Sequence, residues 1–158
     1  MNSIFIAVLS SFCGFMIGLA LARRGKEREQ YYRDAVKFCS YLINNISYKA
    51  DRIAGVIDCA EVNSAALKKN LQEYKAYIAG GEFVFSDNCL TKSEASSVKE
   101  FFTQLGRYDG ETQLNELRRR ESEFKQKHCE LKEKNDQQGN MYIKLGLLFG
   151  LLVGILLI

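Results

Sequence analysis

Proline is absent from these 158 residues, histidine occurs once, and the five cysteines are scattered with no two close together. Without proline no position is barred from a helix interior, and the 47% of residues that are apolar recur mostly near a period of 3.6, so the fold class expected is all-α. The lone histidine, His128, lies in a Lys- and Glu-rich stretch with no nucleophile beside it, which leaves general acid–base chemistry without players. Neither a phosphate-cradling glycine loop nor a metal-ligand spacing occurs. No catalytic, cofactor-binding or metal site is expected, no cofactor, no small-molecule substrate, and no enzyme. Cys13, Cys39, Cys59, Cys89 and Cys129 are odd in number and lack zinc-knuckle or redox spacing, which suits free thiols in a reducing cytosol. Cys39 and Cys59 fall at apolar helical positions and are expected to act as small buried hydrophobes. The net charge is only +3, with acids alternating with bases, so the concentrated basic face of a nucleic-acid binder is missing.

What the chain does have is a greasy segment at each end. Ile4 to Ala22 carries no charge over 19 residues and Leu145 to Ile158 none over 14. At ~1.5 Å per residue the first covers roughly 28 Å, enough for a bilayer core. The second is extended by Met141, Tyr142 and Ile143, with Lys144 able to snorkel to the headgroups. The expected organisation is a transmembrane helix over 1–22, a cytoplasmic helical domain over 23–140, and a second transmembrane helix over 141–158. Arg23, Arg24, Lys26 and Arg28 follow the first segment, and Lys132, Lys134 and Lys144 precede or enter the second. Positive flanks stay inside, so both ends agree on a cytoplasmic middle, and the arginine cluster also attracts anionic lipid headgroups. A cleaved secretory signal is the competing reading, because Ala20-Leu21-Ala22 fits the small-x-small pattern, but the basic n-region such a signal opens with is missing. Gly14 with Gly18, and Gly146, Gly150 and Gly154, place small residues every fourth position, a pattern that lets spans pack closely.

Between the ends the helices can be placed. Ala35, Phe38, Cys39, Leu42, Ile43 and Ile46 mark the buried stripe of a long first helix over about 27–48. Ile53, Val56, Ile57 and Ala60 form a shorter stripe, and Leu67, Leu71, Tyr74 and Ile78 a third, which Gly80-Gly81 ends by supplying a positive φ. Phe83-Val84-Phe85 has no strand partner and reads as a loop docking its aromatics on the core. Thr91 and Glu94 have capping-box spacing, starting a helix that carries Val98, Phe101, Phe102 and Leu105 and closes at Gly106. Asp109 is placed to cap a last helix from about 110 to 138, and Gly139 is expected to relax the joint that follows. Leu114, Leu117, Phe124 and Leu131 form a narrow seam of near-heptad spacing with Glu121 and His128 as polar substitutes, and the remaining charges, Arg120 included, are read as an exposed face. Such a seam suits a long antiparallel pair with the first helix, as in a short coiled coil within a helical bundle.

Four stretches together resemble the stage III sporulation protein AB family: Gly18 to Gln30, Tyr41 to Tyr48, Phe101 to Gln113 and Met141 to Ile158. Leu105, Gly106, Asp109 and Gln113 match the family's Leu-Gly-x-x-Asp-x-x-x-Gln. A departure is Asp51 to Val56, where the family commonly carries a proline-containing run. The resemblance implies a non-enzymatic scaffold subunit of a secretion-like channel complex between mother cell and forespore, set in the mother-cell membrane. It is similar to the helical cytoplasmic domains of the type II secretion inner-membrane platform protein, which implies contacts with membrane lipid, other subunits of the channel and a cytoplasmic assembly ATPase. Leu105, Gly106, Arg107, Asp109 and Gln113 are the partner-binding candidates on that reading. The alternative is an unrelated membrane-tethered helical adaptor of a division or secretion complex.

Overall fold

The structure is a computed structural model describing the backbone of residues 2–48, 53–86, 89–107 and 110–156; the side chains of 1–11, 46–54, 56, 87–88, 108–109, 139–140, 142–143, 146, 150–151 and 153–158 lie outside the description. Among the described residues there are five helices, α1 (Asn2–Tyr48), α2 (Ile53–Asp58), α3 (Ala65–Ile78), α4 (Lys92–Gln104) and α5 (Gly110–Leu156), and no strand. The protein is all-α. It divides into two compact units, one of residues 28–129 and one that joins 1–27 to 130–158.

In the 28–129 unit the three- and four-residue stripes become the core. Tyr31, Ala35, Phe38, Cys39 and Leu42 of α1 are buried, as are Leu67, Leu71 and Tyr74 of α3, Val98, Phe101 and Phe102 of α4, and Leu117 and Phe124 of α5. The α1 and α5 segments run antiparallel here. Tyr32 stacks near Phe124 at 5.9 Å, and eight residues further along α1 Ser40 donates to Glu121, three residues back along α5. Helix ends follow local chemistry. Ser64 caps α3, its hydroxyl oxygen accepting from the Leu67 amide at 3.4 Å, and Gly80 takes φ +100° after the last turn, a conformation that suits a residue without Cβ. The Thr91–Glu94 capping box forms, with the Thr91 amide donating to Glu94 Oε2 at 3.1 Å. Phe83 docks from the connecting segment against Tyr74 at 6.0 Å, Tyr77 at 5.4 Å and Phe102 at 6.4 Å.

Several expectations need correction. α2 is only six residues long and ends at Asp58, before Ala60. Ile78 is 45% exposed, because it sits in the final turn of α3, where the helix runs past the core it covers. Cys59 is exposed although Cys39 is fully buried; it follows the end of α2, so helical periodicity no longer governs where it points. Arg120 is buried instead of lying on the outer face. α5 continues through Gly139: one glycine costs a helix about 1 kcal/mol, which long helical stretches on both sides outweigh.

In the terminal unit, Gly18 is buried and Gly14 half-buried, while Phe12, Met16, Ile17 and Leu21 of α1 and Leu145, Leu148, Phe149 and Leu152 of α5 are exposed. The glycine edge of α1 therefore faces into the unit and the bulky edge faces out. Gly146, Gly150 and Gly154 of the corresponding α5 pattern are among the residues whose surroundings are not described. Asn135 Nδ2 donates to the Gly25 carbonyl at 2.9 Å, and a Cβ at Gly25 would stand 2.5 Å from Asn135 Oδ1. A larger residue there would require the Asn135 amide to swing away from the Gly25 carbonyl. Among the described residues no helix is long and apolar enough to cross a membrane; both apolar runs continue into the undescribed side chains at the two ends.

Candidate functional site

The corner between α4 and α5 holds the residues singled out as partner candidates. Leu105 is buried and its carbonyl accepts from the Tyr74 hydroxyl at 2.9 Å. Gly106 follows with φ +81°. Its amide donates to Gln113 Oε1 at 2.9 Å, and Gln113 is itself buried. Burial pushes the Tyr74 hydroxyl up to about 12, so it stays protonated and keeps donating at any physiological pH. Leu105 and Gln113 thus close the corner from inside, Gly106 is exposed but held through its amide, and Arg107 beside it is exposed. Asp109, expected both to cap α5 and to meet a partner, lies outside the described residues.

A second group of polar side chains, which sequence patterning passed over, sits inside the bundle. Arg28 was read as part of the charge cluster that fixes orientation, yet it hydrogen-bonds Glu94, whose residue is 7% exposed. Burial alone would raise the Glu94 carboxyl, but the hydrogen bonds from Arg28 and the Thr91 amide outweigh it and hold the group below its ordinary range. One carboxylate therefore caps α4 and ties it to α1. Asp34 is fully buried and accepts from the amides of Asn63 and Ser64 at 2.9 and 2.7 Å, fastening the start of α3 to α1. Its other oxygen has no hydrogen bond but lies 3.9 Å from Arg33 Nε and 4.0 Å from Lys37 Nζ. Asn70 donates to the Tyr31 hydroxyl at 2.9 Å. Burial raises Tyr31, Tyr32 and Cys39 far above their usual values, so none is a nucleophile or base in waiting.

Arg120 explains its own burial: Glu116 Oε1 lies 3.1 Å from its Nε and Glu123 Oε2 3.2 Å from its Nη1, with Glu100 of α4 at 3.7 Å. The signal that could have found it is its place three residues after Leu117, on the seam side of the helix. Arg28 gave a similar signal, four residues before Tyr32 on the buried stripe of α1. Asp34 and Asn70 gave none, since their partners are 29 to 39 residues away. Among the described residues no three His, Cys, Asp or Glu side chains gather as a metal site would need.

These interactions tie the helices of the 28–129 unit to one another. The chain belongs to the stage III sporulation protein AB family, whose model matches residues 3–158. Membership ties it to stage III of sporulation, and the family is a sporulation family, not a known enzyme family. No curated protein and no solved structure matches the chain.

Proposed function

We propose that this chain is a non-enzymatic platform subunit of a secretion-like complex between mother cell and forespore, anchored in the mother-cell membrane by the first part of α1 and the last part of α5, with the 28–129 unit in the cytoplasm. The observation that carries the reading is that the two apolar ends belong to one compact unit in which, among the described residues, Phe12, Met16, Ile17, Leu148, Phe149 and Leu152 are exposed, as suits an anchor surrounded by lipid. Flanking charge supports the cytoplasmic side. Partners are membrane lipid, other channel subunits and a cytoplasmic assembly ATPase, and the exposed point for protein contact is Arg107 at the α4–α5 corner.

Reversing that charge tests the assignment. Arg107→Glu should weaken association with the partner at least tenfold, about 1.4 kcal/mol, and lower spore formation, while protein level and melting temperature stay unchanged. Gln113→Ala behaves differently, costing about 1 kcal/mol of stability because the Gly106 amide loses its acceptor. Normal sporulation with Arg107→Glu would remove the corner from the contact surface.

A further inference from the structure

The Gly25–Asn135 contact sets the register of the terminal unit, and that register puts Lys144 too deep for its own flanking charges. Lys144 lies nine residues beyond Asn135 on α5, about 13 Å along the axis. The same descent from Gly25 on α1 reaches Met16, inside the apolar run. Arg23 and Arg24 sit one or two residues from Gly25, so Lys144 is ~10 Å below them. A lysine stem of four carbons reaches no more than ~6 Å, so snorkelling alone does not bring its ammonium level with the arginines. Lys144 is exposed, beside the exposed Met141 and Leu145. It has no counter-ion at this depth: neither 1–26 nor 137–158 contains an Asp or Glu. On the same register the stretch apolar on both helices pairs residues 4–15 with 145–156, ~18 Å of height against the ~30 Å of a bilayer core. The buried edge of α1 at Gly14 and Gly18 is already occupied within the unit, leaving the outer, lipid-facing side for the charge.

We propose that Lys144 binds the phosphate of an anionic phospholipid, drawn down to its level by local thinning of the membrane around the helix pair. An ammonium–phosphate hydrogen bond is charge-assisted at both ends, and local thinning together with snorkelling is one way a short apolar surface is matched. The inference rests on the membrane anchoring proposed above, so the experiment separates the two. The full-length protein is first tested by alkaline carbonate extraction from membranes; its release there refutes the anchoring itself. Retained protein is then purified in detergent with an equimolar mixture of phosphatidylglycerol and phosphatidylcholine, and bound lipid is counted by native mass spectrometry. The wild type should favour phosphatidylglycerol, Lys144→Leu should lose about fivefold of that preference, and Lys144→Arg should keep it. An unchanged preference in Lys144→Leu overturns the proposal. So does loss of the wild-type preference on adding inorganic phosphate at constant ionic strength, which would mark a free-anion site. A Lys144→Leu variant that keeps its lipid preference but no longer copurifies with other subunits would assign the charge to a partner's carboxylate and likewise overturn it.

Discussion

Phe102→Ala should destabilise the 28–129 unit by about 4 kcal/mol, the range for deleting a buried phenyl ring and leaving its cavity. Phe102 is 1% exposed and its ring lies 5.3 Å from those of both Tyr74 and Phe101. It is also the surface on which the 81–86 segment rests, with Phe83 at 6.4 Å and Phe85 at 6.5 Å. Two readouts follow: a lowered urea midpoint for the full-length protein in detergent, and faster proteolysis between Phe83 and Phe85, because the segment loses its seat. Phe102→Leu conserves most of the volume and should cost less than about 1.5 kcal/mol. Equal effects from alanine and leucine would mean the aromatic cluster is not where the stability lies.

Arg28→Ala is expected to cost about 3 kcal/mol at neutral pH, since removing one partner leaves the other charge buried and unpaired. The Arg28 side chain is 26% exposed and that of Glu94 8%, so solvent relieves little of the loss. The pH dependence has a definite sign. The Glu94 carboxyl is depressed in the folded protein, so it contributes stability that is present above the ordinary glutamate value of about 4.3 and lost as pH falls through the folded one. Without Arg28 the burial of Glu94 is opposed only by its hydrogen bonds with Thr91, so the carboxyl is held down less strongly. The deficit of Arg28→Ala against wild type should therefore shrink below pH ~4. A deficit equally large at pH 7 and pH 3 would show that Arg28 acts through packing of its stem and not through its charge.

Sequence patterning reached the helices because burial in a bundle imposes a period, and Leu117, Phe124 and Leu131 kept to it in α5. It reached the Thr91–Glu94 cap because that signal is local. It failed where a polar residue sits on an apolar stripe, as with Arg28 and Arg120, whose charge outweighed their position in the reading. It failed for Asp34 and Asn70 because nothing local reveals a partner brought in by the tertiary fold. At the corner, the matched residues Leu105, Gly106 and Gln113 proved to be bonded within the chain, a role that a motif shared across a family cannot distinguish from partner contact. The terminal unit was legible as two apolar runs, but their relative register was not, because it depends on one contact between residues 110 apart.

Topology is the premise on which the platform reading stands, and the cysteines test it without substitution. Cys59 and Cys129 are exposed on the 28–129 unit, whereas Cys39 is buried in its core. With a membrane-impermeant maleimide on intact cells, neither Cys59 nor Cys129 should react; both should react once the membrane is permeabilised without denaturant, and Cys39 only after unfolding. Labelling of Cys59 or Cys129 in intact cells would place the unit outside the cytoplasm and contradict the account.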